Sequence, residues 1–318
     1  MRSLLELAAL GVALLSGVRA ETLCSTTPIT YPGAKDEFVP ARWPIDMLLK
    51  YGVATWVSDR IVNGDASSTV QELVTSCPED SRLSVVLYAL PNKDCSAGFS
   101  NGNASIVTGD DYAAFVTELT DLIGDRKVLY VLEPDAVGLI VSGGCAIESD
   151  YQGNLTTAVS LLSTNPNAEI YVDVGYWTLS TNESAAQVAK VVKELSRNGT
   201  VKGITLNTSN YRPTPELVEL CSNFQTAINS TDMHCIIDTS RNYQSDDGYC
   251  TNQSSDALRG PEAGTFYYEH FIKLWNHGYF TIEQDNIRIF DESDSAATRW
   301  SAPLISSLVV AIATLVVV

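Results

Sequence analysis

From about residue 50 onward, the chain alternates short apolar runs with longer amphipathic stretches. The apolar runs are rich in β-branched and aromatic residues, and their brevity and near-continuous hydrophobicity are typical of parallel strands covered on both faces. The predicted strands are ATWV (54–57), LSVVLYA (83–89), KVLYVLE (127–133), AEIYVDV (168–174), VKGITLN (201–207) and MHCIID (233–238).

The stretches between these runs have the pattern of amphipathic helices, several of which begin at a capping Ser, Thr, Asp or Asn and end near Gly or Asn. The predicted helices are SSTVQELVTSC (67–77), DDYAAFVTELTDLIG (110–124), GNLTTAVSLLS (153–163), ESAAQVAKVVKELSRNG (183–199), TPELVELCSNFQTAIN (214–229) and PEAGTFYYEHFIKLWNHG (261–278). A strand spacing of roughly 30–40 residues suits βα units, and therefore an α/β barrel or a doubly wound sheet.

Polar side chains stand at or just beyond the ends of five successive predicted strands. They are Asp94, Asp135, Asp173, Asn207 with Asn210, and Asp238. A single Asp in this position is ordinarily a helix N-cap. Polar residues at the ends of five successive strands are a stronger signal. The carboxyl ends of barrel strands meet in one cleft, and barrel enzymes have their active sites there.

The residue types in this cleft favour acid–base chemistry. His234, His270 and His277 have no zinc-ligand spacing to the aspartates, whereas a Mg²⁺ site built from carboxylates stays an alternative. Neither a phosphate-binding loop nor a nucleophile elbow is present in the sequence. Clustered carboxylates favour glycoside hydrolysis, in which a protonated acid donates to the leaving oxygen and an ionised partner assists water. We therefore expect neither a cofactor nor a resident metal.

Five ordered motifs within residues 50–275 resemble those of glycoside hydrolase family 6. They are LYALPNKDCSAGFSNG (87–102), LEPDAVGLIV (132–141), YVDVG (171–175), KGITLNTSNY (202–211) and IIDTSRN (236–242). The resemblance implies a single-domain α/β fold at residues 21–290. Its architecture would be a distorted TIM-like β/α barrel of seven strands, and its activity inverting hydrolysis of β-1,4-glucan, that is, cellulose or mixed-linkage glucan.

The resemblance also implies roles for individual residues. Asp135 would be the general acid, and Asp94 would raise its pKa and, through Ser100 and water, help to accept a proton. Tyr88 would press on the sugar ring, and Trp56 would stack on a neighbouring glucose, although a lone Trp is as readily a core residue. The other implied substrate-binding residues are Lys93, Asp173, Tyr176, Asn207, Asn210, Asp238 and Arg241. A Cys95–Cys145 disulfide is implied as well.

Three departures from the family pattern leave a second hypothesis open. Lys93 stands where the family has Arg, and Tyr176 where it has His. The late segment that supplies a proposed base in the family is not visible, and Asp246 or Asp247 is a candidate to replace it. The chain is therefore predicted to be an endo-acting glucanase or, alternatively, a cell-surface glucan-binding or adhesion protein on a catalytically impaired fold.

The two ends and the composition predict export from the cell. Residues 1–20 read as a signal peptide. A polar spacer (291–302) precedes an apolar tail (303–318), which with the small residues at 295–297 fits a GPI-attachment signal; a short transmembrane anchor is the alternative. Seven Cys and seven N-glycosylation sequons agree with an extracellular, cell-surface glycoprotein. The net charge of −18 disfavours nucleic-acid binding, and we expect a monomer that meets the membrane only through its tail.

Overall fold

The computed structural model of the protein describes residues 22–51, 53–59, 66–98, 100–101, 104–230, 232–239 and 266–277. The predicted signal peptide, spacer and tail lie outside these residues, as do Arg241, Asp246 and Asp247. Within the described parts, no helix is both long and apolar enough to cross a bilayer.

The centre of the fold is a parallel sheet. Its strands are β1 (Leu23–Cys24), β2 (Thr55–Val57), β3 (Arg82–Leu87), β4 (Val128–Leu132), β5 (Ala168–Asp173), β6 (Val201–Leu206) and β7 (His234–Ile237). Each of the six predicted strands is present, with ends within two residues of those expected. Only the two-residue β1 was not predicted, because so short a segment carries no periodic signal.

The strands follow the order β1-β3-β4-β5-β6-β7, and β2 also pairs with β3. Since β4 occupies one edge of β3, β1 and β2 share the other: β1 pairs with Arg82–Leu83 and β2 with Val85–Leu87. The result is a curled parallel sheet flanked by helices, as in a distorted barrel, which confirms the predicted fold class. All strands therefore deliver their carboxyl ends to the same side.

Helices connect the strands. They are α1 (Tyr31–Glu37), α2 (Arg42–Tyr51), α3 (Ala66–Ser76), α4 (Gly109–Ile123), α5 (Ala136–Ser142), α6 (Cys145–Glu148), α7 (Tyr151–Leu162), α8 (Asn182–Ser196), α9 (Thr214–Ile228) and α10 (Tyr268–His277). The sequence did not predict α1 and α2, whose region is broken up by proline, although α1 accommodates its proline in the first turn. The short α5 and α6 were also missed.

The main hydrophobic core lies between the sheet and its helices. The side chains of β3 and β4 alternate between two faces, as the strand period of two requires. Tyr130 and Leu132 face the large core that includes the buried stripes of α4, α7 and α8. Val86, Val131, Tyr171 and Ile236 form a smaller cluster on the other, inner face.

A separate apolar cluster joins the amino-terminal helices to α10. Tyr31 packs edge-on against Phe271 with ring centroids 5.9 Å apart, and Trp43 meets Trp275 at 5.7 Å. Ile45 and the other apolar residues of this cluster are buried at the same place. These contacts hold residues 31–51 and 268–277 together.

Three disulfides staple the described chain: Cys24–Cys77, Cys95–Cys145 and Cys221–Cys235. The predicted Cys95–Cys145 pair is confirmed, with Cα atoms 6.0 Å apart. It links the loop after β3 to the start of α6.

The close approach of β6 and β7 generates a stability prediction. Gly203 of β6 lies opposite His234, and a Cβ at Gly203 would stand 1.8 Å from the His234 carbonyl oxygen. We expect Gly203→Ala to force the strands apart and to lower the free energy of unfolding by about 1–3 kcal/mol, the range for overpacking. Urea-induced unfolding followed by circular dichroism measures this.

Gly33→Ala is the matched control, because a Cβ at Gly33 in helix α1 would meet no atom within 4 Å apart from its chain neighbours and the backbone of its own helix. Its unfolding midpoint should stay the same or rise slightly. Equal midpoints for Gly203→Ala and wild type would contradict the packing argument.

Candidate active site

The carboxyl ends of the strands form a site with unusual backbone geometry. Eight non-glycine residues of the described chain have positive φ, and six of them follow β3, β4 or β6. These six are Asn92, Asp94, Glu133, Asp135, Asn207 and Ser209. Such conformations cost free energy and concentrate at functional sites.

Asp135 occupies the N-cap position of α5 but does not act as a cap. Its φ is 67°, and its side chain makes no capping hydrogen bond. Its Oδ1 atom is buried and has no hydrogen-bond partner among the described residues. The ordinary N-cap interpretation of a strand-end Asp therefore does not hold for Asp135.

Asp173, at the end of β5, is surrounded by donors. Its Oδ1 accepts the Asp135 N–H at 2.8 Å and the Gly175 N–H at 3.1 Å. Its Oδ2 accepts the Thr208 hydroxyl at 2.5 Å. Asp173 is 1 % exposed, so these bonds replace the water that an ionised carboxylate needs.

The two carboxyl groups have different electrostatic environments. Burial raises the pKa of Asp135 strongly, and the charges of Asp173 and Asp94 raise it further. Burial also raises the pKa of Asp173, but by less, because the Thr208 hydroxyl and two backbone N–H groups stabilise its charged form. The arrangement favours a proton on Asp135 and a charge on Asp173.

Two aromatic side chains stand beside these acids. The rings of Trp56 and Tyr88 meet nearly perpendicularly with centroids 5.6 Å apart. Burial and the charges of Asp94 and Asp135 raise the pKa of Tyr88, and the nearby side chain of Ser100 lowers it. Trp56 packs on the inner-face cluster, and its Nε1 is buried with no hydrogen bond in the described structure. Trp56 therefore packs against the core, while its indole N–H at the site has no hydrogen-bond acceptor among the described residues.

The loop that carries Asp94 is fixed by a residue that the sequence analysis missed. Asp59, just beyond β2, pairs with Lys93, and both side chains are buried. The other oxygen of Asp59 accepts the N–H groups of Ser105 and Ile106 at 2.9 and 3.2 Å. One carboxylate therefore holds both ends of the loop. Its position after a strand, like that of the other aspartates, was the signal that could have found it.

Asp94 itself accepts the backbone N–H of Ser100 at 2.9 Å through Oδ2. Asp94 and the Ser100 side chain both act on the pKa of Tyr88, so Tyr88, Asp94 and Ser100 are neighbours. The three residues expected to work with Asp135 therefore lie together.

Glu133, two residues before Asp135, was also missed, because its role depends on tertiary contacts. It is fully buried, and its carboxylate accepts the N–H groups of Ala89 and Leu90 and the hydroxyl of Tyr112. Burial raises the pKa of Glu133 to about 7. Glu133 ties the exit of β4 to the segment that follows Tyr88.

Several residues predicted to contact substrate have partners inside the protein instead. Lys93, Asp173, Asn207 and Asp238 are each at most 2 % exposed. The Asn207 amide donates to the Asp238 carbonyl at 2.8 Å and accepts the Arg212 N–H at 2.9 Å. These four side chains stabilise the site from inside the protein, because they are buried and their polar atoms bond other protein groups.

Tyr176 and Asn210 are only partly buried. The Tyr176 ring lies 5.4 Å from the guanidinium carbon of Arg212, and the Asn210 amide donates to the Thr208 carbonyl. Among the described residues, no group of three or more His, Cys, Asp or Glu is placed to hold a metal ion.

The sequence of the chain matches a family of known proteins. The family described as "Glycosyl hydrolases family 6" matches residues 41–248. The chain belongs to glycosyl hydrolase family 6. This confirms the resemblance drawn from the five motifs.

Individual relatives are more distant. Endoglucanase-6B of Humicola insolens is 26 % identical over 180 residues, which cover 52 % of this chain and 52 % of that protein. Endoglucanase A of Thermobispora bispora is 30 % identical over 164 residues, or 50 % of this chain and 34 % of that protein. The chain thus spans about half or less of these relatives.

The solved structures show the fold. A family 6 enzyme from Orpinomyces sp. Y102 superposes with a TM-score of 0.63 at 23 % identity, covering 80 % of this chain and 96 % of that one. The curled sheet is therefore an arrangement found in experimentally determined family members.

The pKa of Asp135 generates a pH prediction. Because the pKa is higher in the folded than in the unfolded chain, the folded protein binds more protons between the two values, and raising the pH through this window destabilises it. We expect Asp135→Asn, which cannot ionise, to be more stable than wild type near pH 7.5 by on the order of 1–3 kcal/mol. The difference should disappear below about pH 4, where the unfolded carboxyl is protonated as well.

Unfolding free energies measured in urea across this pH range check the prediction. Asp121→Asn, at an exposed position of α4, is the control and should track wild type at every pH. A constant offset between Asp135→Asn and wild type, independent of pH, would show that protonation of Asp135 is not the cause.

Proposed function

We propose that the protein is an inverting glycoside hydrolase that cleaves β-1,4-glucosidic bonds in cellulose or a related β-glucan. The observation that carries the proposal is the Asp135 carboxyl. It is buried, its Oδ1 has no partner in the described structure, and the charges of Asp173 and Asp94 favour its protonated form. A general acid at neutral or mildly acidic pH needs these properties.

The proposed acid step is proton donation from Asp135 to the glycosidic oxygen. As the bond to that oxygen breaks, positive charge develops on the sugar ring, and the ionised Asp173 and Asp94 stabilise it electrostatically. Asp135 becomes ionised in this step and regains a proton from solvent before the next cycle.

Water attack is proposed to proceed through the group around Asp94. Asp94 accepts the N–H of Ser100, so a water held near Ser100 would pass its proton to the Asp94 carboxylate, which would then release that proton to solvent. Attack from the face opposite the leaving oxygen would invert the anomeric centre.

The aromatic side chains suit a polysaccharide. Trp56, Tyr88 and Tyr176 are each partly exposed around the acids, and flat apolar rings stack on the apolar faces of sugars. We propose internal cleavage of the chain, because this sequence lacks the late family segment that would help to cover the cleft.

Export to the cell surface is part of the proposal. Three disulfides suit an oxidising compartment, and residues 1–20 and 303–318 supply the proposed signal peptide and GPI signal. Outside the cell the protein would meet its polysaccharide partner directly.

Hydrolysis of barley β-glucan and amorphous cellulose by the secreted protein tests the function. We expect reducing ends to be released by wild type and the rate to fall by about 10²-fold or more in Asp135→Asn, the scale of lost general-acid catalysis. Asp121→Asn should behave as wild type. Internal cleavage predicts a mixture of oligosaccharides at early times, so cellobiose as the dominant first product would contradict it.

The same assay distinguishes the binding-protein alternative. Binding of both wild type and Asp135→Asn to the polysaccharide, with no reducing ends from either, would favour a glucan-binding or adhesion protein.

The five sequons within the described residues divide into accessible and inaccessible ones, whereas those at Asn103 and Asn252 lie outside these residues. Asn182, Asn198 and Asn229 are exposed, whereas Asn154 and Asn207 are buried and use their amides inside the protein. If the protein is exported, we expect glycans at exposed positions and none at Asn154 or Asn207. Peptide mass spectrometry after enzymatic deglycosylation in H₂¹⁸O reads the occupancy of each position, and a glycan on Asn207 of the folded protein would contradict the structure.

A further inference from the structure

The Thr208 hydroxyl is a polar contact at the site to which the motif analysis gave no role. Thr208 follows β6 and is 2 % exposed. Its Oγ1 donates to Asp173 Oδ2 at 2.5 Å. Hydrogen bonds from a hydroxyl to a charged carboxylate are short and about twice as strong as those between neutral groups.

The position of this bond on Asp173 makes it distinct. The backbone N–H groups of Asp135 and Gly175 both donate to Oδ1. On Oδ2, the Thr208 hydroxyl is the donor found among the described residues. Loss of that hydroxyl therefore leaves one oxygen of a buried carboxylate without its donor.

Among the described residues, the charged groups found to act on this pair are acids. Asp94 acts on Asp135 from the loop after β3, and Asp238 acts on Asp173 from the end of β7. Tyr88 faces Asp94 and Asp135 with a neutral hydroxyl. Mutual repulsion disfavours ionisation of both acids, but it does not by itself select which one is ionised.

Hydrogen bonding makes that selection. Asp173 receives three donors, while Asp135 Oδ1 receives none in the described structure. We propose that Thr208 is a positioning residue whose hydroxyl keeps Asp173 ionised, so that the proton shared by the two carboxyl groups stays on Asp135. The kinetic consequence rests on the proposed function, whereas the protonation pattern is a property of the folded protein.

NMR titration of protein carrying ¹³C-labelled aspartate tests the proposal without a substrate. Asp173→Asn and Asp135→Asn assign the two carboxyl resonances. In Thr208→Val, which has nearly the shape of Thr but no hydroxyl, we expect the Asp173 titration midpoint to rise by about 1–2 pH units. Thr208→Ser, which keeps the hydroxyl, should restore the wild-type midpoint.

Thr205→Val is the matched control. Thr205 is fully buried in β6, three residues away, and its Oγ1 makes no hydrogen bond in the described part of the chain. The same change of side chain there should leave the Asp173 midpoint unmoved. If Thr208→Val does not fold, Thr208→Ala is titrated in the same way with the same expectation.

The pH profile of kcat/KM is the second readout. The acid limb of the profile is set by ionisation of Asp173, so Thr208→Val, which destabilises ionised Asp173, should move this limb to higher pH. The alkaline limb is set by loss of the Asp135 proton. It should stay in place, because Asp173 is ionised both before and after that step. A general loss of stability would lower activity without moving one limb selectively.

An unchanged Asp173 midpoint in folded Thr208→Val would overturn the proposal. The expected NMR shift in a protein that releases no reducing ends would support the role of Thr208 and count against the proposed hydrolase function, so the two failures are distinguishable.

Discussion

The structure of the site depends on one repeated interaction, in which a carboxylate at the end of one strand accepts backbone N–H groups from the exit of the neighbouring strand. The Glu133 carboxylate, after β4, accepts the N–H groups of Ala89 and Leu90 beyond β3. The Asp173 carboxylate, at the end of β5, accepts the N–H group of Asp135 beyond β4. Likewise, Asp238 Oδ2, after β7, accepts the N–H group of Ser209 beyond β6 at an N–O distance of 2.9 Å. Without these acceptors, the donors would be buried and unsatisfied, which is costly.

This interaction explains how buried acids are tolerated in a chain with a net charge of −18. Each of the three carboxylates is stabilised by oriented N–H dipoles, and the positive charge of Lys93 pairs with Asp59 and also lowers the pKa of Glu133. Asp135 is the exception, because its backbone N–H serves Asp173 while its own Oδ1 has no partner among the described residues. The acid proposed for catalysis is thus the member of the set that the scaffold leaves unstabilised.

The sequence predicted those features that depend on local pattern. Strand positions, the parallel α/β class and the polar strand ends follow from hydrophobic periodicity, and the Cys95–Cys145 pair followed from the family resemblance. The supporting roles of Glu133, Asp59 and Thr208 did not follow, because each arises from contacts between segments distant in sequence. For the same reason Asn207 was predicted to contact substrate, although its amide is engaged between β6 and β7.

The positive φ values at the site have a consequence for stability engineering. A left-handed conformation costs on the order of 1–2 kcal/mol for residues that carry a Cβ, and glycine adopts it at little steric cost. Glycine in place of Asp94, Glu133 or Asp135 would relieve this cost but would remove the carboxyl group. A sequence optimised for stability alone would therefore erase three acids of the site.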